Sequence, residues 1–477
     1  MSKILLTHSY FLRLDPKQWK QQQPYPPLAT LYAAAVLRQA GHEVFLFDAM
    51  FSVSPEEINP FLQRIEPDFL VVYDDGFNYL TKMCLTNMRY AAFGMCKIAK
   101  GFGCKVVVSS SDATDHSEEY VNNGADFILI GEGEKTLLEL ITGLGSDTPT
   151  ETIPGLVFQQ GTQFIKTEPR KVLNDLDALP MPAWDLIDIE KYKSAWLKKN
   201  GYFSLNMVTT RGCPFKCNWC AKPIYGNRYN TRTPANVVEE LKYLLTIFGP
   251  QHIWFCDDIF GLKPGWVEEF AVLIKKENLR FRFKIQARVD LLCKGDTIEH
   301  LAAAGCETIW VGAESGSQKI LDAMDKGTKV EQIHLASALM RKHGIKPAFF
   351  LQLGYPGETK EDIKLTMKML LDLMPDDIGV SVSYPLPGTK FYENVKADIS
   401  KKTNWIDSDE LAMMYNGPFT TSYYKKVHRY IHKTFRKKQG YANLTKIVAG
   451  KESINCKTLR SVLAMAWYTP SLIQKVI

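Results

Sequence analysis

Two series of short apolar segments, separated by helical stretches, constrain the fold of this chain more than any other feature of its sequence. Parallel strands need a long crossover, usually a helix, so this alternation predicts an α/β fold whose parallel sheets are covered on both faces. Ligands of such sheets bind at the carboxyl ends of the strands. The first series predicts a doubly wound, flavodoxin-like sheet with strands at residues 4–7, 43–47, 69–73, 105–109 and 127–130.

The second series begins near residue 202 and repeats at intervals that suit successive strand–helix units. Six such units predict a partial (β/α)6 barrel rather than a closed eight-unit barrel. Barrels of this kind carry their chemistry at the carboxyl ends of the strands. The strands of this series are predicted at residues 205–209, 253–256, 283–287, 308–312, 348–353 and 378–383.

The domain organisation follows from these two series. A chain of 477 residues exceeds the size at which one hydrophobic core keeps growing, so several domains are expected. We predict a doubly wound domain at residues 1–145, a linker with a small hairpin at 146–200, a partial barrel at 201–390 and a short helical region at 391–477. Residues 15–27 are predicted to be a polar, proline-rich loop.

Composition excludes several classes of protein. The net charge of +6 is too small for this length to indicate nucleic-acid binding. Neither a secretory signal nor an apolar run near the roughly 20 residues of a membrane span is recognisable. The chain has ten cysteines, and in a long chain of a reducing cytoplasm cysteines indicate metal binding or catalysis rather than disulfides. Seven are scattered and predicted to be buried free thiols: Cys84, Cys96, Cys104, Cys256, Cys293, Cys306 and Cys456.

The other three cysteines lie together in a loop that directly follows a predicted strand. Cys213, Cys217 and Cys220 fall within eight residues, a spacing that can hold an iron–sulfur cluster. Three local ligands leave one iron of a four-iron cluster free, as a catalytic metal site requires. The alternative is a zinc site, which would need a fourth ligand, and the next Cys and His are Cys256 and His252.

The C-x3-C-x2-C pattern, with Trp219 before its last cysteine, resembles the radical SAM superfamily. That resemblance implies a [4Fe–4S] cluster on Cys213, Cys217 and Cys220 that cleaves S-adenosylmethionine (SAM) to a 5′-deoxyadenosyl radical. It also implies that Trp219 packs against the adenine, whereas the alternative is an ordinary core aromatic residue.

Further features that resemble this family follow at successive strand ends. By resemblance, Asp257 and Asp258 contact the SAM amino group, and Arg288 lies near its carboxylate and ribose. Glu314 and Ser315 match the family's SAM-contacting turn. The alternatives are a helix N-cap for Asp258 and a surface salt bridge for Arg288.

The N-terminal half resembles the cobalamin-binding domain that precedes the barrel in many radical SAM proteins, in the subgroup that includes magnesium-protoporphyrin monomethyl ester oxidative cyclase and B12-dependent methyltransferases. The matching segments are residues 26–28, 40–44 with Asp48, 124–126 and 131–134. The expected glycine-rich loop reads Ser109, Ser110, Ser111 and Asp112 instead. The alternative is a flavodoxin-like domain that has lost its cofactor.

The resemblance implies cobalamin-dependent methyl transfer to an unactivated carbon. The alternatives are radical oxidative cyclisation or rearrangement, and a non-catalytic iron–sulfur or zinc protein. We expect a small-molecule or lipid-like substrate and an electron donor such as flavodoxin or ferredoxin. The basic stretch 425–438 is expected to be a helix face packed by its aromatic residues on the barrel, or else a peripheral membrane contact together with residues 462–477.

Overall fold

The computed structural model describes residues 1–78, 85–146, 148–222, 224–450, 459 and 461–465. Within them the chain forms fifteen strands. Seven belong to the N-terminal sheet: β1 (Lys3–Thr7), β2 (Glu43–Phe47), β3 (Phe69–Tyr73), β4 (Lys105–Ser109), β5 (Phe127–Leu129), β6 (Leu156–Gln160) and β7 (Gln163–Lys166). The others are β8 (Ser204–Met207), β9 (Thr210–Arg211), β10 (Asn230–Thr231), β11 (His252–Phe255), β12 (Arg282–Ala287), β13 (Cys306–Glu314), β14 (Lys346–Leu353) and β15 (Asp377–Val382).

The helices of the described residues lie between these strands and after them. Those of the N-terminal half are α1 (Pro16–Gln21), α2 (Leu28–Gln39), α3 (Asn59–Ile65), α4 (Thr86–Gly101), α5 (Ser111–Asp115), α6 (Ser117–Asn122), α7 (Glu134–Leu144) and α8 (Ile189–Asn200). Those of the C-terminal half are α9 (Pro234–Ile247), α10 (Trp266–Lys276), α11 (Val289–Leu292), α12 (Thr297–Ala303), α13 (Gln318–Ala323), α14 (Val330–Lys342), α15 (Lys360–Leu373), α16 (Lys390–Val395) and α17 (Thr421–Val448).

The N-terminal sheet has the strand order β2-β1-β3-β4-β5-β6-β7. Its first five strands pair in parallel, which confirms the predicted doubly wound sheet. The predicted hairpin is β6 and β7, and it extends this sheet because β6 pairs antiparallel with β5. Strand order reverses between β1 and β3, so the carboxyl ends of those strands border a crevice where ligands of such sheets bind.

Two segments contain helices that the sequence interpretation missed. Residues 15–27 were predicted to be a loop, but α1 forms there because Asp15 accepts a hydrogen bond from the Gln18 backbone amide and Pro16 occupies the first helical position. The predicted linker contains α8, which buries Tyr192 and Trp196 and ends at Gly201 in the left-handed conformation. The linker is therefore ordered in part by contacts of these two side chains with Phe51 and Tyr25 in the N-terminal part of the chain.

The second sheet is parallel throughout, with the order β8-β11-β12-β13-β14-β15. Neighbours in sequence are neighbours in space, and the six strands form the half-barrel predicted from the six units. Side chains on the outer face, such as Ile285, Ile309 and Phe349, are fully buried under the surrounding helices.

The segment Pro24–Pro26 closes one side of the half-barrel. The Asn206 side-chain amide donates to the Pro26 carbonyl oxygen at 3.0 Å, and the Trp196 indole donates to that of Pro24 at 2.7 Å. The Tyr25 ring lies 4.7 Å from the Trp254 ring. The N-terminal half thus covers the inner face of β8 and β11. It leaves the inner face of β12 to β15 uncovered.

The helix α17 packs across the barrel through Tyr424, Val427, Ile431 and Phe435, which are all fully buried. This is the packing predicted for the basic stretch 425–438. Within the described part of the chain, no helix combines the length and the apolar character that a membrane crossing requires. Of residues 462–477, those from 466 onward lie outside the described part.

Five of the scattered cysteines can be assessed. Cys96, Cys104, Cys256 and Cys306 are buried free thiols, as predicted, and Cys293 is a half-buried one. Cys84 and Cys456 lie outside the described residues.

Candidate active site

The three clustered cysteines lie on a loop whose two ends are paired with each other. β9 precedes the loop and β10 follows it, and the two pair antiparallel. Gly212 turns the chain at φ +79, and a Cβ atom on it would overlap the Arg228 carbonyl oxygen. Glycine is needed there for both its backbone conformation and its size.

Asn218, in the middle of the loop, anchors it to three other parts of the chain. Its side-chain amide donates to the Ala323 carbonyl oxygen at 2.7 Å, and its side-chain oxygen accepts from the Tyr355 hydroxyl at 2.7 Å. Its own carbonyl oxygen accepts from the Phe391 amide at 2.9 Å. These bonds fix the loop at the carboxyl edge of the half-barrel before any metal is bound.

The cysteine environment suits a cationic cluster. Burial raises the pKa of the Cys213 thiol above its ordinary value and that of Cys220 to about 12. Thiolates at these positions therefore need positive charge nearby, which bound iron supplies. Arg288 adds some of it, because its Nη1 lies 3.8 Å from the Cys217 sulfur. The donor set of three half-buried thiols fits a cluster with one open iron.

The two nearest candidates for a fourth zinc ligand are engaged elsewhere. The Cys256 thiol is buried and donates to the Met207 carbonyl oxygen at 3.0 Å. The His252 Nδ1 lies 2.8 Å from the Ser204 hydroxyl, inside the barrel wall. Within the described ranges, no group of three His, Cys, Asp or Glu side chains could hold a single metal ion.

A cationic and acidic network borders the cysteine loop. The Arg288 guanidinium stacks 3.7 Å from the Phe215 ring centroid and pairs with Asp290. Lys326 donates to Glu314 at 2.8 Å, and both side chains are almost completely buried. Glu314 adopts a positive φ of 56, rare for a residue with a side chain, where the β13–β14 pairing shifts register.

Trp219 lies in the same network. Its ring centroid is 5.8 Å from the Lys326 ammonium, and its indole nitrogen is buried without a hydrogen-bond partner in the described structure. Buried indole N–H groups usually have an acceptor, so this donor is available to a ligand. Its position fits the predicted contact with SAM, which stays a prediction.

Asp257 and Ser315 are buried, whereas Asp258 is exposed. Asp257 is buried and accepts hydrogen bonds from the Thr209 amide and hydroxyl and from the Thr210 amide, so its oxygens fix the strand that leads into the cysteine loop. Burial raises its pKa to about 6. Asp258 is exposed at the same strand end. The Ser315 hydroxyl accepts from the Ser317 amide at 3.1 Å.

Arg211 links the cysteine loop to the N-terminal sheet. Its guanidinium pairs with Glu132, and with Glu134 at 2.7 Å, and all three side chains are less than 5% exposed. Tyr32 and Tyr225 flank the guanidinium with ring centroids at 5.5 and 5.3 Å. Glu132 and Glu134, in the segment after β5, therefore hold Arg211, which lies directly before the cysteine loop.

A small cavity lies at the carboxyl edge of the N-terminal sheet. It is lined by Ala29, Tyr73, Asp74, Asp75, Gly76, Ser109, Ser110, Ser111, Ile224 and Tyr225, so it faces both the sheet and the loop beyond the cysteines. The serine hydroxyls and the aspartates give this cavity a polar wall.

Asp112, unexpected in the cobalamin resemblance, has a local role. Its carboxylate forms two hydrogen bonds with Arg89, at 2.6 and 2.7 Å, and accepts a third from Tyr120 at 2.8 Å. Ser110 caps α5, because its hydroxyl accepts from the Ala113 amide. The serine-rich loop thus begins a helix.

Several residues of the site were not singled out from the sequence. Lys326 belongs to no recognised motif, and Phe215 is an unspecified position of the cysteine pattern. Lys326 reaches Glu314 only because the chain after α13 folds back onto β13. Glu132 and Glu134 lie in the matching segment 131–134 and Arg211 lies two residues before the cysteine pattern, but their pairing joins residues 77 or more positions apart. Charge complementarity between the two motifs was the one signal that could have suggested it.

The comparisons with known proteins agree with this arrangement. Residues 207–370 match the family described as the radical SAM superfamily. The chain is 28% identical to an uncharacterised methyltransferase of Pyrococcus horikoshii over 80% of its own length and 81% of the relative's. It is 27% identical to an anaerobic magnesium-protoporphyrin IX monomethyl ester cyclase of Synechocystis, over 78% and 73% of the two chains.

One solved structure extends the likeness to nearly the whole chain. The cobalamin-dependent SAM radical enzyme OxsB, solved with aqua-cobalamin bound, superposes with a TM-score of 0.74 at 17% identity. The match covers 98% of this chain and 71% of that one. At this identity it shows the shared fold of both halves.

Proposed function

From the premise that this chain carries a radical SAM domain at residues 207–370, we propose that it cleaves SAM with a [4Fe–4S] cluster on Cys213, Cys217 and Cys220. We propose further that it transfers a methyl group, with cobalamin, to an unactivated carbon of a small-molecule or lipid-like substrate. The observation that carries the proposal is the anchored three-cysteine loop at the carboxyl edge of the half-barrel, with Arg288 beside Cys217.

When bound, the cluster supplies the electron that splits SAM into methionine and a 5′-deoxyadenosyl radical, and cobalamin supplies a methyl group. The protein's own side chains position the cysteine loop and neutralise the charge of its thiolates. Asn218 holds the loop, while Arg288 offsets thiolate charge and remains close enough to meet a ligand carboxylate. Trp219 offers a free indole donor, and exposed Asp258 offers a carboxylate for the SAM ammonium.

Two findings support cobalamin. The cavity at the sheet edge opens between the N-terminal sheet and the segment that follows the cysteines, where a carrier would meet the barrel. The likeness to OxsB covers both halves of the chain. Ser109, Ser110 and Ser111 line that cavity and would hold part of the corrin by their hydroxyl groups.

The cluster assignment is tested by replacing one ligand and one matched thiol. In Cys217→Ala we expect loss of bound iron and sulfide and of SAM cleavage, because two remaining local ligands cannot hold the cluster. Cys256→Ala is the control, since this thiol is buried and bonded to Met207. Anaerobic iron and sulfide analysis should give about four irons for the control. Retention of cleavage by Cys217→Ala would remove the proposal.

A second candidate is radical oxidative cyclisation or rearrangement without methyl transfer, which the similarity to the cyclase of Synechocystis favours. Product analysis separates the two, with and without added cobalamin. Methylcobalamin and S-adenosylhomocysteine are expected for methyl transfer, whereas 5′-deoxyadenosine without them indicates the second candidate. A zinc-only, colourless protein would indicate a non-catalytic binding protein instead.

The remaining partners follow from the chemistry. Each SAM cleavage consumes one electron, so we propose a flavodoxin or ferredoxin as donor. We also propose a cytoplasmic location, because a cluster with an open iron persists in a reducing compartment. Peripheral membrane contact through the basic face of α17 stays a prediction.

A further inference from the structure

The inner face of the half-barrel is only partly filled. Side chains of a strand alternate between its two faces, so β12 to β15 each present every second residue to the lumen. The apolar side chains on the outer face of these strands are buried. On the inner face, partial exposure is kept by Lys284, Gln286, Trp310, Phe350 and Ser381. An accessible space therefore runs along the inside of these four strands.

Lys284 is the charged group at the lower end of this space. Its ammonium lies 4.9 Å from the Trp254 ring centroid and 5.3 Å from that of Tyr25. In the part of the chain that the structure describes, it has no hydrogen-bond acceptor and no carboxylate within ion-pair distance. Asp377, an acidic group that acts on it electrostatically, is paired with Arg436 at 2.7 Å. Enclosed cations without a counter-ion are rare in proteins.

The wall of this space is aromatic, and a glycine faces it where a side chain would crowd the rings. Trp310 on β13 and Phe350 on β14 stack with their ring centroids 4.6 Å apart. Gly379 stands opposite Phe350 on β15, and a Cβ atom there would come within 3.2 Å of that ring and 3.6 Å of the Trp310 ring. This surface suits a planar, unsaturated group.

The upper end of the space holds two buried polar atoms without partners. The side-chain oxygen of Gln352, which is 7% exposed, and the hydroxyl of fully buried Ser383 have no hydrogen bond within the described structure. Both are on the inner face, in step with Phe350 and Ser381 on their own strands. Buried polar groups normally have partners, so these two point to a polar ligand group.

The strand register gives the separation of the two ends. Lys284 is level with Thr308, and Thr308 is level with Lys346 on β14. Gln352 lies six residues further along β14, or roughly 20 Å along the strand. A ligand that reaches both ends must therefore be elongated.

We propose that the lumen binds an elongated, unsaturated carboxylic acid, with its carboxylate at Lys284 and its planar section against Trp310 and Phe350. Its other end lies at Gln352 and Ser383, toward the cysteine loop. This names the substrate class of the proposed function and rests on it. The Lys284 ammonium selects against neutral molecules of the same shape, because only an anion can form a charge-assisted hydrogen bond with it.

The test measures binding directly, on the anaerobically purified full-length protein with its cluster intact. The probe is cis-parinaric acid, a conjugated fatty acid that fluoresces when bound, and its methyl ester is the neutral comparison. We expect saturable binding of the acid and much weaker binding of the ester. Lys284→Met should weaken binding of the acid by about tenfold or more, the usual effect of removing one charge-assisted hydrogen bond, and leave the ester unchanged.

Two further variants complete the design. Lys294→Met removes an exposed lysine of the same barrel and should leave binding of the acid unchanged. Gly379→Val should weaken binding of the acid and of the ester alike, because the valine side chain fills the space beside Phe350 and Trp310. Absence of saturable binding to the wild type, or equal binding of the acid by wild type and Lys284→Met, overturns the inference. SAM cleavage assayed on the same wild-type sample reports separately on the proposed function.

Discussion

At the scale of single residues, Glu358 shows how the fold changes the behaviour of a group. The Glu358 carboxylate is 4% exposed and accepts hydrogen bonds from the Gly354 amide at 2.8 Å and the Tyr424 hydroxyl at 2.9 Å. Burial outweighs these bonds and raises its pKa from 4.5 to about 7. In the sequence this residue was only part of a glycine- and proline-containing turn.

This shift predicts a pH dependence of stability. Because the native state keeps a proton on Glu358 up to about pH 7 that the unfolded chain releases near pH 4.5, the free energy of unfolding should fall as pH rises between these values. The expected loss is roughly 3 kcal/mol. Glu358→Gln should remove this dependence, so the variant gains stability relative to wild type between pH 5 and pH 8.

Denaturant unfolding at both pH values measures the difference. Glu361→Gln, which removes a carboxyl group that is 76% exposed near the start of α15, is the control for loss of a negative charge. Parallel stability curves for wild type and Glu358→Gln from pH 5 to pH 8 would contradict the prediction.

At the scale of elements, α17 combines a buried stripe with a basic face. Tyr424, Val427, Ile431 and Phe435 recur at helical spacing and are fully buried, so the helix is stabilised by its contact with the barrel. The sequence predicted this helix because aromatic and apolar residues alternate with basic ones. It could not show which surface of the barrel the stripe would contact, since that depends on the fold around β15 and α15.

Phe435→Ala should destabilise the protein by about 3–5 kcal/mol, because it removes a large buried side chain and leaves a cavity. Tyr441→Ala is the matched control on the same helix, where the tyrosine ring is 50% exposed, and it should change stability by less than about 0.5 kcal/mol. Equilibrium unfolding in guanidinium chloride measures both. Equal losses for the two variants would mean that the helix is not held through its buried stripe.

At the scale of the whole molecule, the two halves meet through the ion group of Arg211, Glu132 and Glu134. The guanidinium neutralises two carboxylates that the interface otherwise buries. Burial raises the pKa of Glu132, Arg211 acts in the opposite direction, and the neighbouring Glu134 carboxylate raises it further. Loss of the cation therefore leaves uncompensated charge directly before the cysteine loop.

Arg211→Met should cost roughly 3–5 kcal/mol of stability, because breaking a buried ion pair leaves its partner charges unpaired. Arg38→Met is the control, since Arg38 pairs with Asp185 at an exposed site and should contribute about 1 kcal/mol or less. Thermal unfolding and the iron content after anaerobic purification measure the effect. The triple variant with Glu132→Gln and Glu134→Gln should recover part of the loss; no recovery would contradict the electrostatic explanation.

The sequence by itself determined the parallel strands of both sheets, the six-unit half-barrel and the position of the cysteine loop. These depend on local apolar runs and on spacings of a few residues, which a single chain displays directly. The structure alone decided which groups meet: Arg211 with the glutamates after β5, Lys326 with Glu314, and Lys284 with no counter-ion among the described residues. Such pairings arise when separate parts of the chain become neighbours, and local composition does not record them beyond the complementary charges of Arg211 and the two glutamates.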